Sequence, residues 1–122
     1  MSDLNGLIVI KLKGNKTMLD REIEFTLPKG AIDASGRLHR HGKMRPITGE
    51  DELYVTRDRR VREEPAYATF VMLSRAIVEL GTLDRITPQQ LEELFLADFI
   101  YLQEQFNELN QELVRFSELG EW

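Results

Sequence analysis

The stretch DFIYLQEQFNELNQELVRF, Asp98 to Phe116, decides how the chain is read. At helical spacing it places Phe99, Leu102, Phe106, Leu109, Leu113 and Phe116 on one side, in unbroken steps of three and four. Such a seam is the signature of an amphipathic helix with one face committed to a core or to a partner. On the flank of the seam, Glu104, Glu108 and Glu112 follow one another at four-residue intervals. Carboxylates at that spacing repel, at about 0.3 kcal/mol for each pair. The sequence therefore poses one question twice: what covers the seam, and what answers the glutamates.

Moving toward the N-terminus, Thr87-Pro88-Gln89-Gln90 is a helix start, with a threonine cap, proline at the first helical position and glutamine where a capping box needs it. Leu91, Leu94 and Phe95 make the apolar stripe, and Ala97-Asp98 either breaks this helix, with Asp98 capping the last one, or is passed over by one helix from Pro88 to Phe116. Pro65, Ala66, Phe70, Leu73, Ile77, Leu80 and Gly81 define a helix over 65–80, with proline at its start and glycine at its end. Apolar on more than one side, it is expected to be the central core helix. Thr48 opens a short helix whose first turn holds Glu50, Asp51 and Glu52, negative charge placed at the positive end of the helix dipole. Thr56 to Glu64 reads as a charged connector.

The first part of the chain is strand-like. Leu7–Lys13 and Glu22–Leu27 form a hairpin when Lys11 is set opposite Glu24, because Lys13 then meets Glu22, while Leu12, Ile10 and Ile8 meet Ile23, Phe25 and Leu27. Pro28-Lys29-Gly30 and Asp33-Ala34-Ser35-Gly36 interrupt the pattern with turn residues. Leu38 to Arg45 supplies a third strand, bent near Gly42, with Met44 facing the core; Pro46 ends it or confines it to an edge. The expected fold class is α+β: an N-terminal antiparallel β-hairpin or three-stranded sheet followed by three or four α-helices. The 122 residues form a single domain, β-rich over 1–47 and helical over 48–118, with 119–122 a frayed tail.

Composition narrows the function classes. There is no cysteine, so disulfides, thiolate metal sites and cysteine nucleophiles are excluded. The longest N-terminal apolar run, Leu7 to Ile10, is far below the roughly 20 residues that span a bilayer, and a cytoplasmic location is expected. The net charge of −5 is unevenly spread: residues 1–78 carry 14 Lys or Arg against 11 Asp or Glu, and residues 79–122 carry 2 against 10. The C-terminal third thus suits a basic partner. Phosphate loops, nucleophile elbows and HExxH helices are absent from the sequence, so no catalytic residue and no cofactor is assigned. His39 and His41 share a strand face but lack the further ligands of a metal site, and are read as solvated loop histidines. The basic segments 37–45 and 57–62 leave open a nucleic-acid-binding or regulatory module, although Asp58, Glu63 and Glu64 interleave the second of them.

Several short pieces resemble a known group. Leu27-Pro28-Lys29-Gly30 and the run Gly42-Lys43-Met44-Arg45-Pro46-Ile47-Thr48-Gly49-Glu50-Asp51-Glu52 are similar to the entry of small phage tail assembly proteins. That group includes the tail assembly chaperones and small baseplate proteins of contractile-tailed phages. Arg60-Val61, Pro65-Ala66-Tyr67, Arg75-Ala76-Ile77, Leu80-Gly81, Leu94-Phe95-Leu96-Ala97-Asp98, Leu102 and Asn110 resemble versions from phage-like contractile injection systems. The resemblance covers residues 22–112. It implies a β-hairpin leading into a helical remainder, and a non-enzymatic role in assembly through binding a tape-measure, tube or baseplate protein, with homo-oligomer formation open. From the residues, partner contact is assigned to Phe99, Leu102, Phe106, Leu109 and Leu113 of the seam and to Glu104, Glu108 and Glu112 of its flank.

Overall fold

The structure, a computed structural model, describes residues 21–118 and the side chains of residues 21–111. The strand expected at Leu7–Lys13 and the tail at 119–122 lie outside the described residues. Three antiparallel strands lie in the order β1-β2-β3: β1 is Ile23–Ile32, β2 is Leu38–Met44 and β3 is Ile77–Leu80. The helices are α1 (Gly49–Arg57), α2 (Arg59–Glu63), α3 (Ala68–Ala76), α4 (Pro88–Glu92) and α5 (Leu96–Glu118), with a single 3₁₀ turn at Pro65–Tyr67. The α+β class is as expected. The strands are not confined to residues 1–47, however, because β3 sits in the middle of the segment read as helical.

β1 and β2 pair with Ile23 opposite Met44, Glu24 opposite Lys43 and Phe25 opposite Gly42. One face then presents Phe25, Leu27 and Met44 to the core, and the other matches opposite charges across the strands. Gly42 is needed where it stands: a Cβ there would lie 2.5 Å from Cζ of the Phe25 ring. β2 stops at Met44, just before Pro46, but it is the central strand rather than an edge.

The helix expected over 65–80 is corrected. A 3₁₀ turn follows Pro65, α3 ends at Ala76, and the chain extends through Ile77 to Leu80. The open edge of β2 takes this segment: Arg45 N–H donates to Ala76 O, Gly81 N–H donates to His41 O, and Lys43 pairs with Glu79. Ile77-Val78 is β-branched and fits a pleated surface better than another helical turn. The connector expected at Thr56 to Glu64 is corrected too. Asp58 accepts from the N–H groups of Arg60 and Val61 and starts α2, which buries Val61.

The main core gathers Phe25, Leu27, Met44, Leu73, Ala76, Ile77, Leu80, Leu91, Leu102 and Leu109. A second cluster of Val55, Val61, Tyr67 and Val71 holds α1, α2 and α3 together. Phe70 packs against both. Its ring stacks between Tyr67, at 5.2 Å, and Phe99, at 4.6 Å.

Candidate functional site: the faces of α5

α4 starts as expected, with Gln90 N–H donating to Thr87 Oγ1 and Thr87 N–H to Gln90 Oε1. It ends at Glu92, and α5 begins at Leu96, so the break falls before Ala97-Asp98. Asp98 does not cap α5. It is fully buried, and its two oxygens accept from Lys29 N–H at 2.8 Å and Gly30 N–H at 3.0 Å. Gly30, at φ +110°, bends β1 here, and Arg40 secures the other side of the bend by donating to Leu27 O and Pro28 O. One turn along α5, the Tyr101 hydroxyl accepts from Thr26 N–H, and further on Asn110 Oδ1 accepts from Ile47 N–H. α5 thus satisfies three amides of β1.

This packing decides the described part of the seam. Leu102 is 0 % and Leu109 2 % exposed, and Phe99 and Phe106 pack against the same core. Leu102 and Leu109 therefore belong to the core of this chain. The side chains of Leu113 and Glu112 lie outside the described residues. Glu104 and Glu108 are exposed. The arginine segment does not answer them: Arg59 pairs with Glu63, and Arg60 bonds to Glu92 while lying 3.9 Å over the Tyr67 ring.

Phe106 does reach a surface. It lines a cleft of about 310 Å³ between α1, α3 and α5, together with Ile47, Val55, Ala68, Met72 and Leu73, and Gln103, Asn107, Thr69 and Glu52 supply its polar rim. The walls are mostly apolar and the polar groups few, the usual make-up of a recognition groove.

Two polar centres brace this architecture. Asp51, 2 % exposed, accepts two hydrogen bonds from the Arg45 guanidinium, one from Arg75 Nε at 2.7 Å and one from Thr48 N–H. Burial would raise its pKa, but the two arginines and the amide outweigh that and hold the carboxyl well below the usual carboxylate range. Arg75 also lies 4.0 Å over the Tyr54 ring. The Tyr67 phenol, buried and bonded to Glu92 at 2.6 Å, is pushed up to about 12 and remains a donor at neutral pH.

The second centre corrects the reading of the histidines. His41 is exposed, with Nδ1 at 3.1 Å from Thr26 Oγ1, but His39 is only 4 % exposed. Thr82 N–H donates to His39 Nδ1, which requires that nitrogen to be an acceptor, so Nε2 carries the proton and donates to Asp33 Oδ2 at 2.8 Å. Asp33 also accepts from Arg37 N–H and from the amide and hydroxyl of Ser35. Serine, histidine and aspartate meet here in an order unsuited to nucleophile activation, since the serine donates to the aspartate and both histidine nitrogens are engaged elsewhere. Asp33 is held well below the usual carboxylate range, first by His39 and then by the Arg37 amide.

The sequence pattern did not disclose the Asp98 clamp or the Asp51 centre. Asp98 offered one signal, a carboxylate at the head of an apolar seam with no cation three or four residues away. Among the described residues, no group of three or more His, Asp or Glu is placed to hold a metal ion, and no helix is long and apolar enough to cross a membrane. No family model, no curated protein and no solved structure matches the chain.

Proposed function

We propose that the protein is a non-enzymatic assembly protein of a phage-tail-like contractile machine, either a tail assembly chaperone or a small baseplate adaptor. It acts in the bacterial cytoplasm, or as part of the particle, by binding a tape-measure, tube or baseplate protein, and it needs no cofactor. The observation that carries this reading is the apolar cleft between α1, α3 and α5, open to solvent and bordered by Gln103 and Asn107. A cleft of this kind takes the apolar side of an extended or helical segment, with the rim amides fixing its register. The resemblance over residues 22–112 supplies the class of machine, and the cleft supplies the means. The basic segments 37–45 and 57–62 give little support to nucleic-acid binding, because Arg45, Arg59 and Arg60 are already paired with carboxylates of the chain itself.

Co-expression with the tape-measure, tube and baseplate proteins encoded beside it tests the reading. One of them should co-purify with the wild-type chain or gain solubility from it. Met72→Lys, which puts a charge on the cleft wall, should abolish that capture while the far-UV circular dichroism stays unchanged. If none of the three is captured, the proposal fails.

A further inference from the structure

α5 turns one side to the body and the other to solvent, and the solvent side changes character along its length. Counted by fours over the described side chains it runs Leu96, Ile100, Glu104, Glu108, two apolar residues and then two acidic ones. Leu96 is 71 % and Ile100 45 % exposed. Phe95, Ile32 and Leu38 are exposed nearby, so five of the eight exposed large hydrophobics among the described residues gather where the hairpin meets the start of α5. Ile32 shares a cleft wall with Leu94, and the Leu38 side chain lies against Gly30, whose amide Asp98 holds. Lys29 stands at the same place, with Nζ 5.7 Å from the centre of the Phe95 ring. Arg40, across the bend, donates to the carbonyl oxygens of Leu27 and Pro28 and is not paired with a carboxylate among the described residues. Two carboxylates, Asp33 and Glu93, line the cleft beside Ile32 and Leu94, and Asp33 is taken up by His39 and by the Ser35 and Arg37 amides.

The helix thus has an apolar, cation-flanked end and an acidic end. Within one molecule the two cannot meet, because Glu104 and Glu108 lie about 12 and 18 Å along the axis from Leu96. In two copies laid antiparallel they can. We infer that two copies of the chain pair through this ridge, α5 against α5 about a twofold axis, with Glu104 and Glu108 of each facing Lys29 of the other and Leu96 and Ile100 buried between them. A twofold contact must be self-complementary. This ridge is so only when antiparallel, since a parallel pair would set the glutamate rows side by side. Pairing also removes the repulsion within each row by bringing a cation to it. The ridge does not line the cleft assigned to the assembly partner, and the inference stands whether or not that partner is found.

Light scattering coupled to size exclusion, run on the whole chain from micromolar to millimolar concentration, tests it. The wild type should pass from monomer to dimer. Lys29→Glu should raise the dimer dissociation constant at least tenfold, as should the double variant Glu104→Lys/Glu108→Lys, with circular dichroism and urea midpoints close to wild type. An equimolar mixture of the two variants should form a dimer again, because every reversed charge then meets its opposite. A wild type that stays monomeric throughout overturns the proposal. So does either variant dimerising as well as wild type, or a mixture that remains monomeric.

Discussion

Asp51 and Asp98 are both almost completely buried, and the chain stabilises them by different means. Asp98 is held by two backbone amides, and Asp51 by two arginines and an amide. Asp98→Asn keeps the shape but turns an amide N–H₂ toward one of the two donors, and should cost about 2 kcal/mol in urea denaturation. An unchanged midpoint would show that the clamp is not holding the bend. Asp51→Asn leaves two guanidinium groups short of their acceptor and should cost about 3 kcal/mol at neutral pH. Asp51 and Asp33 both have folded pKa values below the roughly 3.9 of an unfolded aspartate. The stability they contribute is therefore present above that value and is lost as the pH falls through their folded ones. Acid unfolding should steepen below about pH 4 in the wild type, and Asp51→Asn should flatten that limb when midpoints are measured along a pH series.

At the scale of elements, the bend in β1 and the switch from α3 to β3 set the shape of the sheet. Gly30 has a positive φ, and a Cβ there would lie 2.7 Å from Arg40 Cγ and 2.8 Å from Leu38 Cδ1. Gly30→Ala should cost about 2 kcal/mol, read as a lowered thermal midpoint. α5 is anchored by Leu102, and Leu102→Ala should cost about 3 kcal/mol by the cavity it leaves; a surface-sized effect would mean that the seam is not packed as described. Ile77 and Leu80 continued the helical count of the preceding residues, which is why the spacing predicted a helix to 80. Four residues are too few for periodicity to separate a strand from a helical turn. The choice came from β2, whose open edge offered hydrogen bonds that a further helical turn would have left unmade.

Across the whole molecule, the two apolar clusters are joined through Phe70 and the ring stack from Tyr67 to Phe99. They should unfold together, so near-UV circular dichroism of the aromatic rings and far-UV signal from the backbone should share one urea midpoint. Two separated midpoints would show that the α1–α2 side melts on its own. Charge is distributed on the same scale. The basic half of the chain spends Arg45, Arg59, Arg60 and Arg75 on internal carboxylates, whereas Glu104 and Glu108 stay exposed.

Local chemistry was enough to determine the α+β class, the strand at Leu38–Met44, the helix starts at Thr48 and Thr87, and the amphipathic character of the last helix. Each rests on neighbours a few residues apart: a cap and its amide, an alternation, a seam. Tertiary structure alone decided that Asp98 serves a distant bend in β1, that His39 is buried against Asp33, that Ile77–Leu80 leaves its helix, and that Leu102 and Leu109 belong to the core. These outcomes depend on partners up to 75 residues away, such as Tyr101 for the amide of Thr26. A buried polar group takes whichever partner the packed chain brings within reach, and sequence spacing does not encode that distance.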